Sequence, residues 1–164
     1  MSVLSVCLLL LTVQSPRGTS EVSLHGGSLE IEYGRPFLAG RNMVEQVEEG
    51  SVWRLGADQA TTLRVSGLAV FGNMVLREGT YSLFLKRANA ERWFLIVNSQ
   101  VGQWGTERRP ERDILSIPLK WEKPEVSIEQ LTITLTKRGN DLGVIAISWG
   151  MNILKQMFRL VQVE

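Results

Sequence analysis

Leu131-Thr132-Ile133-Thr134-Leu135-Thr136, followed by Arg138-Gly139-Asn140-Asp141 and then Val144-Ile145-Ala146-Ile147-Ser148-Trp149, is the stretch that decides the fold. Leucine and isoleucine alternate strictly with threonine. That period of two puts the apolar side chains on one face of an extended chain and the hydroxyls on the other. Gly-Asn-Asp is turn chemistry, because these residues accept backbone conformations that others resist. The run after the turn is again rich in β-branched residues, so the segment reads as an antiparallel hairpin.

The same grammar recurs along the chain. Leu29, Ile31 and Tyr33 alternate with Ser28, Glu30 and Glu32, and Gly26-Gly27 turns the chain back onto 22–24. Residues 80–85 and 93–97 flank Asn89-Ala90-Glu91 as a further hairpin. Leu115, Ile117, Leu119 and Trp121 make another strand, and Pro118, which has no N–H to give to a ladder, marks it as an edge. Shorter strands over 61–65 and 68–71 lie either side of Ser66-Gly67, and Gly72-Asn73 and Glu78-Gly79 supply the next turns. At most one short helix is expected, near 43–49, between Asn42 as N-cap and Gly50 as C-cap. The tail fits neither period: Ile153, Met157, Leu160 and Val161 suit a helix, whereas Met157, Arg159, Val161 and Val163 alternate irregularly. Many short strands without long helices predict an all-β, single-domain antiparallel β-sandwich or flattened barrel, jelly-roll-like, over 16–164.

The 164 residues suit one domain, and 44% hydrophobic with 21% charged residues places the chain among folded globular proteins. A net charge of +1 supplies no basic field, so no nucleic-acid partner is expected. The densest charge run, Glu107-Arg108-Arg109-Pro110-Glu111-Arg112-Asp113, sums to zero and reads as a solvated loop. Residues 3–13 are apolar without a charge, and Gln14-Ser15-Pro16-Arg17-Gly18 breaks the run. That length suits a secretory h-region of about 7–15 residues and falls short of the ~20 needed to span a bilayer. Residues 1–15 are therefore expected to be a signal peptide or N-terminal hydrophobic segment. Export to the periplasm or the outside follows, with tethering through an uncleaved N-terminus as the alternative, and no spanning helix in the mature chain. Cys7 is the only cysteine, so cleavage would leave a thiol-free domain that forms no disulfide.

One histidine, His25, sits beside Gly26-Gly27 as a solvated turn residue. With no mature cysteine, Cys/His zinc sites and Ser-His or Cys-His nucleophilic machinery lack material, and no phosphate loop occurs. No metal and no cofactor are expected. The stretch unlike ordinary strand filler is Val52-Trp53-Arg54-Leu55-Gly56-Ala57-Asp58-Gln59-Ala60-Thr61-Thr62. It gathers an aromatic plane, a guanidinium, a carboxylate and hydroxyls around a bend, the mixture a small-molecule or sugar cleft uses. The candidate ligand-binding set is Trp53, Arg54, Asp58 and Thr61 with Tyr81 and Trp104, the last in a glycine-flanked loop. The blander account is an Arg54 to Asp58 ion pair stapling the bend, with Trp53 in the core. Trp93, Trp121 and Trp149, within alternating strands, read as core. Arg35, ahead of Pro36, reads as a rim charge or a partner for Glu32.

Ser15-Pro16-Arg17, Ile31-Glu32-Tyr33-Gly34-Arg35-Pro36, Val52-Trp53-Arg54 with Gly56-Ala57 and Ala60-Thr61-Thr62, Glu78-Gly79-Thr80-Tyr81-Ser82-Leu83-Phe84, and Gln103-Trp104-Gly105-Thr106 recur in order. Over 15–149 these resemble the successive signatures of the bacterial family called domain of unknown function 2911. The resemblance implies an exported bacterial β-domain with no assigned activity. Where the family pattern reads Gly-Ala-Asn-Glu-Ala-Thr, this chain has Gly56-Ala57-Asp58-Gln59-Ala60-Thr61. The acid has moved one place, and neighbouring side chains rarely reach the same atom, which weighs against a catalytic carboxylate. Residues 43–49 are more acidic than the family's apolar stretch and read as a variable surface segment. The functional expectation is an exported, non-catalytic domain that binds a glycan or a small polar or amphipathic ligand in a cleft. The alternatives are a hydrolase or lyase pairing Arg54 with Asp58, Glu32 or Asp113, and a structural or interaction module of the cell envelope.

Overall fold

The computed structural model describes residues 14–42 and 47–162. The hydrophobic segment at 3–13 and most of the expected helix at 43–49 lie outside the described residues.

Eleven strands follow one another: β1 (Arg17–Leu24), β2 (Gly27–Gly34), β3 (Val52–Trp53), β4 (Thr61–Phe71), β5 (Met74–Leu76), β6 (Gly79–Arg87), β7 (Trp93–Asn98), β8 (Asp113–Glu122), β9 (Ile128–Lys137), β10 (Leu142–Gly150) and β11 (Asn152–Val161). A 3-10 turn, Pro110–Arg112, precedes β8. Every pairing is antiparallel, in the order β1-β2-β4-β6-β7-β8-β11-β10-β9. β4 pairs with β2 and β6 through its first half and with β5 and β11 through its second, which closes β4-β6-β7-β8-β11 into a flattened barrel. The β1–β2 hairpin then folds over β9. Leu131 N–H donates to the Pro36 carbonyl at 3.0 Å, Leu38 N–H to the Glu129 carbonyl at 2.8 Å, and Leu135 N–H to Ser20 Oγ at 2.9 Å. Inside lie Leu29, Ile31, Leu63, Phe71, Leu83, Trp93, Ile117, Ile133, Ile147, Trp149, Leu154 and Phe158. The hairpins at Gly26-Gly27, 89–91 and 138–141 form as expected.

Four expectations change. The separate strands around Ser66-Gly67 are one strand, β4, bent at Gly67, whose φ of +87° only glycine adopts readily. That bend carries β4 from one side of the barrel to the other. The tail is strand β11: its inward positions are Leu154, Phe158 and Leu160, and Gln156 interrupts their apolar alternation by donating its amide to the Pro118 carbonyl at 2.8 Å. β8 is not a sheet edge; it lies between β7 and β11, although β11 pairs only with residues 120–122, so Pro118 sits where the ladder has parted. Trp121 is 47% exposed rather than core, its indole N–H donating to Asn152 Oδ1 at 2.9 Å. Trp93 and Trp149 are core.

Candidate functional site

The bend from Trp53 to Thr61 is held on three sides. Gly34, at the end of β2, meets it where any side chain would collide: a Cβ there would lie 2.2 Å from the Ala57 carbonyl oxygen. Gly56 faces it in turn, with Gly34 O 3.0 Å from where its own Cβ would be. Below, Thr61 is fully buried and its hydroxyl donates to the Leu55 carbonyl at 2.6 Å, a bond across the base of the bend. Beside it runs the loop after β7. Ala60 N–H donates to Gln103 O at 3.1 Å, Gly105 N–H donates to Asp58 O at 2.9 Å, and Gln59 bridges Trp104. Gln103, buried, ties that loop to the sheet by donating its amide to Ser82 Oγ at 3.0 Å.

This clamping holds two residues in strained backbone conformations. Leu55 and Asp58 have φ of +49° and +62°, among only three non-glycine residues with positive φ in the described chain. Asp tolerates that region through its short polar side chain, but for leucine it is an outlier. Such strain costs on the order of 1–3 kcal/mol per residue and concentrates at functional bends.

Trp53 and Arg54 lie where two cavities meet. The smaller, about 230 Å³, is polar and is lined by Ser15, Arg41, Trp53, Arg54, Asp58 and Trp149. Trp53 lies parallel on Trp149 in its wall, ring centroids 5.2 Å apart and planes 9° from parallel. Asp58 Oδ2 accepts the Ser15 N–H at 2.9 Å. The larger cavity, about 450 Å³, opens on the outward face of the sheet, between Val52, Arg54 and Phe84 on one side and Gly105, Thr106 and Arg108 on the other. The Arg54 stem packs on Gly105, where an added Cβ would approach it to 2.9 Å.

The expected Arg54 to Asp58 staple does not form, although both side chains line the smaller cavity. The Arg54 guanidinium has no hydrogen-bond or ion-pair partner among the described residues. Trp53, Arg54 and Asp58 are thus brought together, and Thr61 supports them from beneath. Tyr81 stands elsewhere: it is four positions along β6 from Leu85, the partner of Trp53, a span of about 13 Å at strand rise. Its hydroxyl donates to the Arg77 carbonyl at 2.9 Å. Trp104 is 46% exposed and lines neither cavity. Arg35 is neither a rim charge nor the partner of Glu32. It reaches the Leu131 carbonyl at 3.2 Å and the Thr132 hydroxyl at 3.3 Å, while Glu32 pairs with Arg17.

The sequence model of a family described as Protein of unknown function (DUF2911) matches residues 15–157. The chain belongs to the DUF2911 family. No curated protein and no solved structure matches it.

The motifs that suggested DUF2911 in the sequence are neighbours in space. Gly34 lets the bend approach β2, Ser82 and Gln103 dock the loop, and Gly105 seats the Arg54 stem. The moved acid of this DUF2911 domain also has a geometric reading. Position 58 needs a residue at ease with positive φ, which Asn and Asp both are, whereas Gln59 points to solvent in the bridge to Trp104. Sequence reasoning missed Arg108. Its charge run sums to zero, yet Arg108 pairs with Asp113, which also accepts from Asn98 Nδ2 at 2.7 Å, and its guanidinium sits 5.7 Å from the Phe84 ring centroid. No local signal marks that contact, because Phe84 is on a different strand.

Proposed function

We propose that this DUF2911 domain is an exported, non-catalytic binding domain that holds a small ligand in the cleft at the Trp53–Arg54 bend. One observation carries the reading: Arg54, half-buried at the junction of two cavities, has no hydrogen-bond or ion-pair partner among the described residues, even though Asp58 lines one of those cavities. A cation withdrawn from water without a partner costs free energy, and natural folds pair such groups or keep them for something that arrives later. The strained backbone at Leu55 and Asp58 points the same way, since it is stability given up at a bend that β2, Thr61 and the 103–105 loop hold rigid. The two cavities offer an indole, a guanidinium and hydroxyls, a mixture suited to a glycan or a small polar or amphipathic molecule. Acid–base chemistry has less support, because Asp58 is the one carboxylate lining either cavity and it already accepts the Ser15 N–H.

Thermal shift and tryptophan emission across panels of sugars, uronic acids and amphiphiles test the reading. Trp53 lines both cavities, so a ligand there should change the emission, and a Trp53→Phe variant separates its share from that of the other four tryptophans. A saturable response lost in Arg54→Gln supports it, and silence across every class contradicts it. Export rests on the apolar 3–13 run, and N-terminal sequencing of protein recovered from an envelope fraction tests that part.

A further inference from the structure

We infer that the ligand is an anionic amphiphile, its carboxylate or phosphate head at Arg54 and its apolar body laid along the outward face of the sheet. This rests on the binding reading above and names the ligand's class. The cavity at Arg54 continues into a second of about 290 Å³, and the two share Val52 and Arg108 as walls. Together they follow the outward face of β3, β6, β7 and β8. Val52 stands opposite Lys86, and Phe84, Ile96 and Ser116 are cross-strand neighbours in one row.

That face is apolar in a way the barrel core does not require. Phe84 and Ile96, 1% and 4% exposed, lie outside the main core cluster as a buried layer beneath this face, and the apolar surface left open to a ligand is that of Val52, Ile114 and Leu115. Ile114, lining the second cavity, is 46% exposed. Above this floor, charge is arranged in two different ways. Arg108 is locked, bonded through Nε and Nη2 to Asp113, so its charge is answered within the fold. Arg54 and Lys86, flanking Val52, are answered by nothing among the described residues. The groove therefore carries a net positive charge over an apolar floor, which complements a negative head joined to an apolar chain. A neutral sugar would leave both cations unpaired, and a bare inorganic anion would leave the apolar walls wet.

Titration calorimetry with sodium octanoate, octyl phosphate, octyl glucoside and sodium phosphate tests the inference. The octyl anions should bind saturably at one site. A charge-assisted contact is worth about 1.5–3 kcal/mol, so Arg54→Gln and Lys86→Gln should each weaken the octyl anions about tenfold or more. Ser116→Glu, which adds a like charge at an exposed strand position, should weaken them with the thermal midpoint unchanged, so a loss there is not a loss of fold. Equal affinity for octyl glucoside, with Arg54→Gln and Lys86→Gln indifferent, would overturn the anionic class and leave the binding reading standing. Phosphate binding as tightly as octyl phosphate would overturn the apolar half. If none of these probes binds, the anionic-amphiphile class falls, and if the wider panel is silent as well the binding reading falls with it.

Discussion

Tyr33→Phe removes one oxygen and should be among the most costly conservative changes in the molecule. Tyr33 is 3% exposed, and its hydroxyl works in both directions on one residue of β9: it donates to the Ile133 carbonyl at 3.2 Å and accepts the Ile133 N–H at 2.9 Å. The phenol thus replaces a ladder that the gap between the hairpin and β9 interrupts. In Tyr33→Phe the ring still fills its space, so no cavity term arises. What remains is a buried amide donor and a carbonyl without partners. Orphaning one buried group costs about 1–3 kcal/mol, and because the carbonyl bond is the longer, about 2–4 kcal/mol is expected for the pair. In a domain this size each kcal/mol moves Tm by about 2–4 °C, so a fall of about 5–15 °C follows. Urea unfolding measures it directly, with an unchanged m-value showing that stability changed and the surface exposed on unfolding did not. Tyr81→Phe is the control: its hydroxyl serves an exposed carbonyl, and a change within about 0.5 kcal/mol is expected. A loss below about 0.5 kcal/mol for Tyr33→Phe would refute the reasoning, since Ile133 would then have another partner.

Gly67→Ala should destabilise by more than about 2 kcal/mol in the same assay, because an alanine there takes positive φ and its Cβ meets the Gly26 carbonyl oxygen at 2.2 Å. Gly34→Ala puts a Cβ 2.2 Å from the Ala57 carbonyl and should push the bend off β2. Tryptophan emission should then shift as the Trp53–Trp149 stack opens, alongside a lower urea midpoint. Asp58→Asn keeps a residue suited to positive φ, so stability should hold within about 1 kcal/mol, whereas Asp58→Val should lose at least twice as much.

The hairpins were legible because alternation and turn chemistry are local. Leu131 to Thr136 and the 138–141 turn carry all the information their pairing needs. What was not legible depends on the barrel's closure. Gly67 reads as a turn in a window of ten residues, but the Gly26 carbonyl packed against it and the β11 partner of the second half make it a bend within one strand. Trp121 continues the parity of Leu115, Ile117 and Leu119, yet it stands at the end of β8 against Asn152, past the packed interior. β11 hid its inward face behind one polar residue, Gln156. The site divides in the same way. Trp53, Arg54 and Asp58 are close in sequence and share a cavity, whereas Arg108 and Lys86 line the neighbouring cavities, brought there only by a folded-back loop and cross-strand register.

The stability of Arg54→Met without ligand tests most directly whether Arg54 is kept for a partner that arrives from outside. Methionine preserves the stem that packs on Gly105 and removes a half-buried charge. If the guanidinium waits for a ligand, the variant should unfold at the same urea concentration as the parent or a higher one, by up to about 1.5 kcal/mol. A loss of more than about 2 kcal/mol would show that the fold itself uses this charge, and the binding site would have to be sought elsewhere.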